Sequence, residues 1–221
     1  MKKLVIALDG PSGSGKSTVA KILSDKYDIL YLDTGAMYRA TALKALKLDI
    51  DTLDEKGVAT FIDNIDLEIK YINKTQHTFL DGEDVSLKIR EPHVSMAASN
   101  ISSLKCVRLK MVEMQRKIAG DTACVLDGRD IGSYVLPNAP YKFYITASST
   151  VRANRRVKEL IERGFDVEFD KILAEIEQRD YNDKNRDFSP LVCPKDAVIV
   201  DTSDMTIEQV IETISSEIEK K

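Results

Sequence analysis

Cysteine and histidine are scarce in this chain, at three and two of 221 residues. Cys106, Cys124 and Cys193 are odd in number and widely spaced, which argues against a disulfide frame or a zinc site. They suit buried thiols in a reducing compartment. His77 and His93 sit in no metal-ligand pattern. No apolar run approaches the ~20 residues needed to span a bilayer, and the chain enters an apolar segment at Leu4, too early for a signal peptide. A cytoplasmic protein with no membrane partner is expected. Charge is nearly balanced, with 32 basic and 36 acidic residues and a net charge of −4. No basic tail or run stands out, so nucleic acid is not an expected partner. The composition is otherwise that of a full-core protein, 43% apolar and 31% charged. One domain spanning residues 1–221, acting as a monomer, is the expected organisation.

Residues 10–17 read Gly-Pro-Ser-Gly-Ser-Gly-Lys-Ser and fit G-x-x-x-x-G-K-[ST], the loop that wraps nucleotide phosphates. A chance match in a chain of this length is about a 1 in 100 event at average residue usage. Gly10, Gly13 and Gly15 remove side chains so that backbone N–H groups can converge on phosphate oxygens. Lys16 brings positive charge to the β- and γ-phosphates, and the Ser17 hydroxyl can ligate Mg²⁺. The flanks agree. Leu4–Leu8 is a continuous apolar run, as in a strand buried on both faces. Val19, Ala20, Leu23 and Tyr27 then recur at helical spacing. Strand, glycine-rich loop and helix N-terminus together make an anion site.

Short apolar runs alternate with amphipathic segments along the chain, the pattern of an α/β fold with a parallel sheet. Strands are expected near 4–8, 29–32, 123–127, 141–147 and 197–201. A final helix is expected from Thr206 to Lys220, opened by a capping box of Thr206 and Gln209. Residues 64–91 break the alternation. Strand-like runs around turn signals at Asn73-Lys74 and Asp81-Gly82 predict a small inserted antiparallel sheet. From Pro92 one long helix to about residue 118 is expected.

Three further groups narrow the chemistry. Thr34 and Arg39 follow the second strand, where α/β sheets bind ligands, and can hold a second phosphate; a capping turn with a surface arginine is the plainer reading. Arg129, between Asp127 and Asp130 at the end of the third strand, is hard to explain by packing alone. Arg152, Arg155 and Arg156 share a helix face and suit either a lid over nucleotide phosphates or a solvated face paired with Glu159 and Glu162. Arg179, Asp183 and Arg186 continue the stripe of Ile172 and Ile176, as in a helix leaving the core to overhang a polar cleft; a frayed, solvent-exposed helix end has the same pattern.

These motifs together resemble the bacterial cytidylate kinases over essentially the whole length. The match runs through GPSGSGKS at 10–17, LDTGAMYR at 32–39, the inserted sheet, LDGRDIG at 126–132, the arginines of 152–156, RDYNDKNR at 179–186 and VIVDTS at 198–203. The resemblance implies a P-loop nucleoside-monophosphate kinase fold: a five-stranded parallel sheet flanked by helices, a monophosphate-binding region at 34–118 with its insert at about 64–91, and a helical lid at about 150–166. It implies phosphorylation of CMP and dCMP by ATP with Mg²⁺. By position, residues 10–18 (Gly10, Pro11, Ser12, Gly13, Ser14, Gly15, Lys16, Ser17 and Thr18) would hold ATP with Arg152, Arg155 and Arg156. Thr34, Arg39 and Arg129 would hold the acceptor phosphate, and Tyr38 would also belong to the CMP site. Ser99, Arg108 and Asp130 would read cytosine. Arg179, Asp183 and Arg186 would meet ribose and phosphates. Lys16, Arg129 and Arg186 would act on the transferring group. Thr34 stands where the family often has Ser, and the hydroxyl is kept. A kinase for another monophosphate or a small metabolite remains the alternative. A guanine-specific switch is disfavoured, because Asn73-Lys74-Thr75-Gln76 lacks the Asp of N-K-x-D.

Overall fold

The computed structural model describes residues 3–120 and 122–220. In chain order its elements are β1 (Val5–Asp9), α1 (Lys16–Tyr27), β2 (Leu30–Asp33), α2 (Thr34–Lys47), α3 (Glu55–Ile62), β3 (Leu67–Ile72), β4 (Thr75–Leu80) and β5 (Glu83–Asp84). There follow α4 (Pro92–Ile101), α5 (Lys105–Ala119), β6 (Cys124–Gly128), β7 (Tyr141–Thr146), α6 (Ser149–Glu162), α7 (Phe169–Asn185), β8 (Val198–Asp201) and α8 (Ile207–Glu219). The chain divides into two compact units, residues 1–31 with 121–221 and residues 32–120.

The first unit is built on a five-stranded sheet in the order β2-β6-β1-β7-β8. β1 runs parallel to β6 and β7, and β7 parallel to β8, with Asp9 opposite both Gly128 and Tyr144. All five expected strands are present. The apolar run of β1 is central because Ile6, Ala7 and Leu8 are fully buried, and each large side chain so covered contributes about 2 kcal/mol. α1 and α8 supply Val19, Leu23, Val210 and Ile214 to the same core as Ile6, Phe143 and Ile145. α8 starts as its sequence directs: Thr206 N–H donates to Gln209 Oε1 at 2.9 Å, and Gln209 N–H to Thr206 Oγ1 at 3.4 Å. α6 and α7 pack on each other through a small core of Ala153, Leu160, Ile172 and Ile176.

The second unit carries the inserted sheet, antiparallel in the order β3-β4-β5. Its hairpins turn where expected. Asn73 and Lys74 take φ of 51° and 62°, and Asp81 and Gly82 take 52° and 76°, the left-handed pairs that match strand twist. The long helix expected from Pro92 to about 118 is instead two, α4 and α5. The break has a local cause. The Ser102 hydroxyl donates to Ser99 C=O at 2.9 Å and that of Ser103 to Asn100 C=O at 2.6 Å. Adjacent serines that bond backbone carbonyls compete with helix continuation, and Leu104 turns into the core to restart it.

Candidate active site

The phosphate loop leaves β1 through Gly10, whose φ is 144°. A Cβ there would lie 1.9 Å from the Ile145 carbonyl oxygen of the neighbouring strand, so only glycine fits. Gly15, at φ 89°, caps α1, and Lys16 begins the helix. The anion-attracting helix end therefore opens directly onto the loop. The Lys16 ammonium donates to Pro11 C=O at 2.6 Å and to Ser14 Oγ at 3.2 Å. Burial, then the nearby Arg129 charge, push its pKa down to about 7, against the pull of Asp127, Asp9 and Asp183. A buried ammonium so destabilised gains strongly from a polyanion.

The ends of β1 and β6 lie side by side, and the charged residues on them form one cluster. Asp127 accepts from Ser17 Oγ at 2.6 Å and from Tyr31 Oη at 3.3 Å. A hydroxyl and a carboxylate at the loop are the hard oxygen donors that suit Mg²⁺, which takes one or two protein ligands and completes its shell with water and phosphate. Arg129 Nε donates to Asp183 Oδ2 at 2.8 Å. Burial works against both charges, yet the pairing wins: Asp183 holds Arg129 above its ordinary range, and Arg129, Arg179 and Arg186 together hold Asp183 below its own. Asp183 is 6% exposed, so this end of α7 is not frayed. Arg186 lies beyond the last turn of α7, not on its face, as the C-capping residue. Its Nε donates to Ser189 C=O at 2.6 Å, and its guanidinium lies 3.6 Å from Asp183 and 3.9 Å from Asp130. Asp130 in turn accepts from Ser189 Oγ at 2.5 Å. Lys16, Arg129, Asp130, Arg179, Asp183 and Arg186 thus belong to one network within the first unit.

The lid arginines are not the bare cluster their spacing suggests. Arg152 is buried and meets Asp180 through two bonds, at 2.6 and 3.1 Å, and also donates to Ala147 C=O and Ser12 C=O. Arg155 donates to Thr202 Oγ1 and C=O, and the Thr202 hydroxyl sits between two acceptors, Thr146 C=O at 3.1 Å and Ser14 C=O of the loop at 3.3 Å. Only Arg156 has the expected helix-face partner, Glu159 at 2.9 Å; Glu162 pairs with Lys158. Two of the three therefore brace the phosphate loop.

In the second unit, Asp33 caps α2 by accepting from Ala36 N–H at 2.9 Å. Its other carboxylate oxygen takes Arg39 at 2.8 Å and Arg90 at 2.9 Å. Burial opposes ionisation of Asp33, but the two guanidinium groups hold its carboxyl below the usual range. Arg39 is thus a held arginine, not a loose surface one, and Thr34 is buried at the helix start. Arg108, 1% exposed, donates to Ser102 C=O at 3.3 Å, and its guanidinium lies 5.4 Å from the ring centre of Tyr38. Ser99 is tied to the same turn through its carbonyl.

Several supporting residues escaped the motif reading. Asp9 is 1% exposed and accepts from Ile131 N–H at 2.6 Å and Gly132 N–H at 2.7 Å, capping the π-helical turn 131–135 that follows Asp130. Burial pushes its pKa up to about 6 in spite of those bonds. The sole hint in the sequence is a carboxylate closing an apolar strand just before Gly10. Asp33, Asp180, Ser189 and Gln76 gave no signal of their own.

Known proteins agree with this chemistry. A model of the cytidylate kinase family matches residues 6–220. The chain is 47% identical to a cytidylate kinase of Clostridioides difficile (strain 630), covering 99% of each, and 45% identical to one of Caldicellulosiruptor bescii, covering 97% of this chain and 95% of the relative. Among solved structures, a gluconokinase from Sinorhizobium meliloti superposes with a TM-score of 0.52 at 13% identity over 99% of this chain and 93% of its own, a likeness of fold alone. With a family match that spans both units and a phosphate loop set among paired arginines and aspartates, the chain belongs to the cytidylate kinase family.

Proposed function

We propose that this protein transfers the γ-phosphoryl group of ATP to the phosphate of CMP or dCMP, giving ADP and the corresponding diphosphate. The observation that carries the reading is the buried network of Lys16, Arg129, Asp183 and Arg186 at the phosphate loop, in a chain of this family. An acceptor phosphate oxygen attacks the γ-phosphorus, a new P–O bond forms, and the bond to the β-phosphate oxygen breaks in line. The acceptor is already ionised, so no general base is needed, which suits a chain with two histidines. The work is to hold two polyanions in line and neutralise them.

On the donor side the loop 10–18, Lys16 and the lid arginines meet ATP, and Ser17 with Asp127 would hold Mg²⁺. When bound, that ion would neutralise charge on the β- and γ-phosphate oxygens. On the acceptor side Thr34, Arg39 and Arg129 take the monophosphate, and Arg179, Asp183 and Arg186 meet ribose and phosphate. The region 34–118 is the monophosphate-binding part, 150–166 the lid, and the cytoplasm the place of work.

Ser99, Arg108 and Asp130 read the base. Cytosine offers an N4 amino donor that a carboxylate accepts, whereas uracil presents a carbonyl oxygen there. An unpaired polar atom costs about 1–3 kcal/mol, so Asp130→Ala is expected to lower kcat/KM for CMP about tenfold more than for UMP. Steady-state rates with both acceptors check this. An unchanged CMP-to-UMP ratio would leave Asp130 as a partner of Ser189 and Arg186 only.

A further inference from the structure

The inserted sheet β3-β4-β5 has no part in the reaction as described so far. Gln76 on β4 makes two part-buried bonds to Asp33, the residue that caps the helix carrying Thr34 and Arg39. Gln76 Oε1 accepts from the backbone N–H of Asp33 at 2.8 Å, and Gln76 Nε2 donates to the backbone C=O of the same residue at 3.3 Å. The two bonds pair an amide side chain with both polar groups of a single residue, which fixes the orientation of its backbone as one bond cannot. Both oxygens of the Asp33 carboxylate are engaged as well, by Ala36 N–H, Arg39 and Arg90.

We propose that Gln76 is a positioning residue for the acceptor: its amide clamps Asp33, and Asp33 holds Arg39 in the orientation that meets the monophosphate. This rests on the reading of Arg39 given above. Among the described residues the sheet also meets α2 through ion pairs at the far end of the helix, Lys44 with Asp81 and Lys47 with Glu83, the latter's partners 38% and 46% exposed. Exposed pairs of that kind contribute little to holding geometry. The Gln76 clamp acts instead at the first residue before the helix, where a small backbone rotation swings Arg39 and breaks the cap together. Side chains alternate along a strand, so His77 faces the other way and bonds Asp84 at 2.7 Å. It is a neighbour on the same strand without the clamp.

The test is steady-state kinetics of the full chain with CMP varied at saturating ATP, and ATP varied at saturating CMP, for wild type, Gln76→Ala and His77→Ala. Gln76→Ala is expected to raise KM for CMP about five- to tenfold, with kcat within about twofold and KM for ATP unchanged, because it loosens binding geometry and not the transferring group. His77→Ala is expected to match wild type. Amide exchange at Asp33 and Ala36 is expected to quicken in Gln76→Ala without any nucleotide. The proposal is overturned by a KM for CMP within about twofold of wild type, by an equal rise in His77→Ala, by a matching rise in KM for ATP, or by unchanged exchange at Asp33. If wild type phosphorylates no CMP, the acceptor reading has failed, and the exchange measurement still decides whether the clamp exists.

Discussion

Lys16→Ala is expected to lower kcat by about three orders of magnitude while the protein stays folded. Removing one preorganised charge or donor from a developing transition state costs about 10²–10³ in rate, and Lys16 is both charge and donor at the transferring group. The fold does not depend on it. Its ammonium is buried at a cost that lowers its pKa to about 7, so alanine relieves an unfavourable burial while forfeiting bonds to Pro11 and Ser14 and the attraction of Asp127, Asp9 and Asp183. Rates of ADP release, with circular dichroism melts beside them, check both halves. A variant within about tenfold of wild type would remove Lys16 from the centre of the chemistry.

Arg129→Ala is expected to cost comparable activity and, unlike Lys16→Ala, stability too. Arg129 is the foremost of three guanidinium groups, with Arg179 and Arg186, that let Asp183 stay ionised in a buried place. Removing one member of an isolated buried pair costs about 3–5 kcal/mol, and because Arg179 and Arg186 still face Asp183 the loss here is expected at or below the lower end. Loss of activity in this variant alone is therefore ambiguous, and Arg129→Lys resolves it. Lysine keeps the charge beside Asp183 but lacks the planar fork that meets a phosphate through two bonds. The lysine variant is expected to melt close to wild type and to remain about 100-fold slower in kcat/KM for CMP. Wild-type activity in Arg129→Lys would show that charge alone suffices there.

Features written in neighbouring residues were legible in the sequence. The phosphate loop, the two left-handed hairpin turns and the Thr206–Gln209 box each need only a few adjacent positions, and each is present. β1 and β6 were legible because parallel strands buried on both faces open as apolar runs, whereas β8, with Ile199 64% exposed, was legible from its β-branched residues alone. The break at Ser102–Leu104 was missed because apolar spacing continues across it, while the cause is a side-chain bond that periodicity does not register. Apart from Arg156 with Glu159 on one helix face, the partners of the charged site residues were not legible. Ser17 finds Asp127 across 110 residues, Arg129 finds Asp183 across 54, and Asp9 caps a turn 122 residues away. The arginines themselves announced a site. Which carboxylate holds each one follows from the order of strands in the sheet, which local sequence does not contain. Arg152 illustrates the difference: its spacing suited a lid charge or a solvated face, and in the fold it pairs with Asp180 and braces the loop at Ser12.

The central claim is the identity of the acceptor, and one panel of kcat/KM values tests it most directly. With Mg²⁺ and ATP present, ADP release is measured against CMP, dCMP, UMP, AMP and GMP, with shikimate and gluconate as acceptors outside the nucleotides. The account predicts that CMP and dCMP lead, at least about tenfold above UMP and further above the purines, since a site built to bond one base edge penalises the others. An acceptor other than a cytidine monophosphate at the head of that order would contradict it.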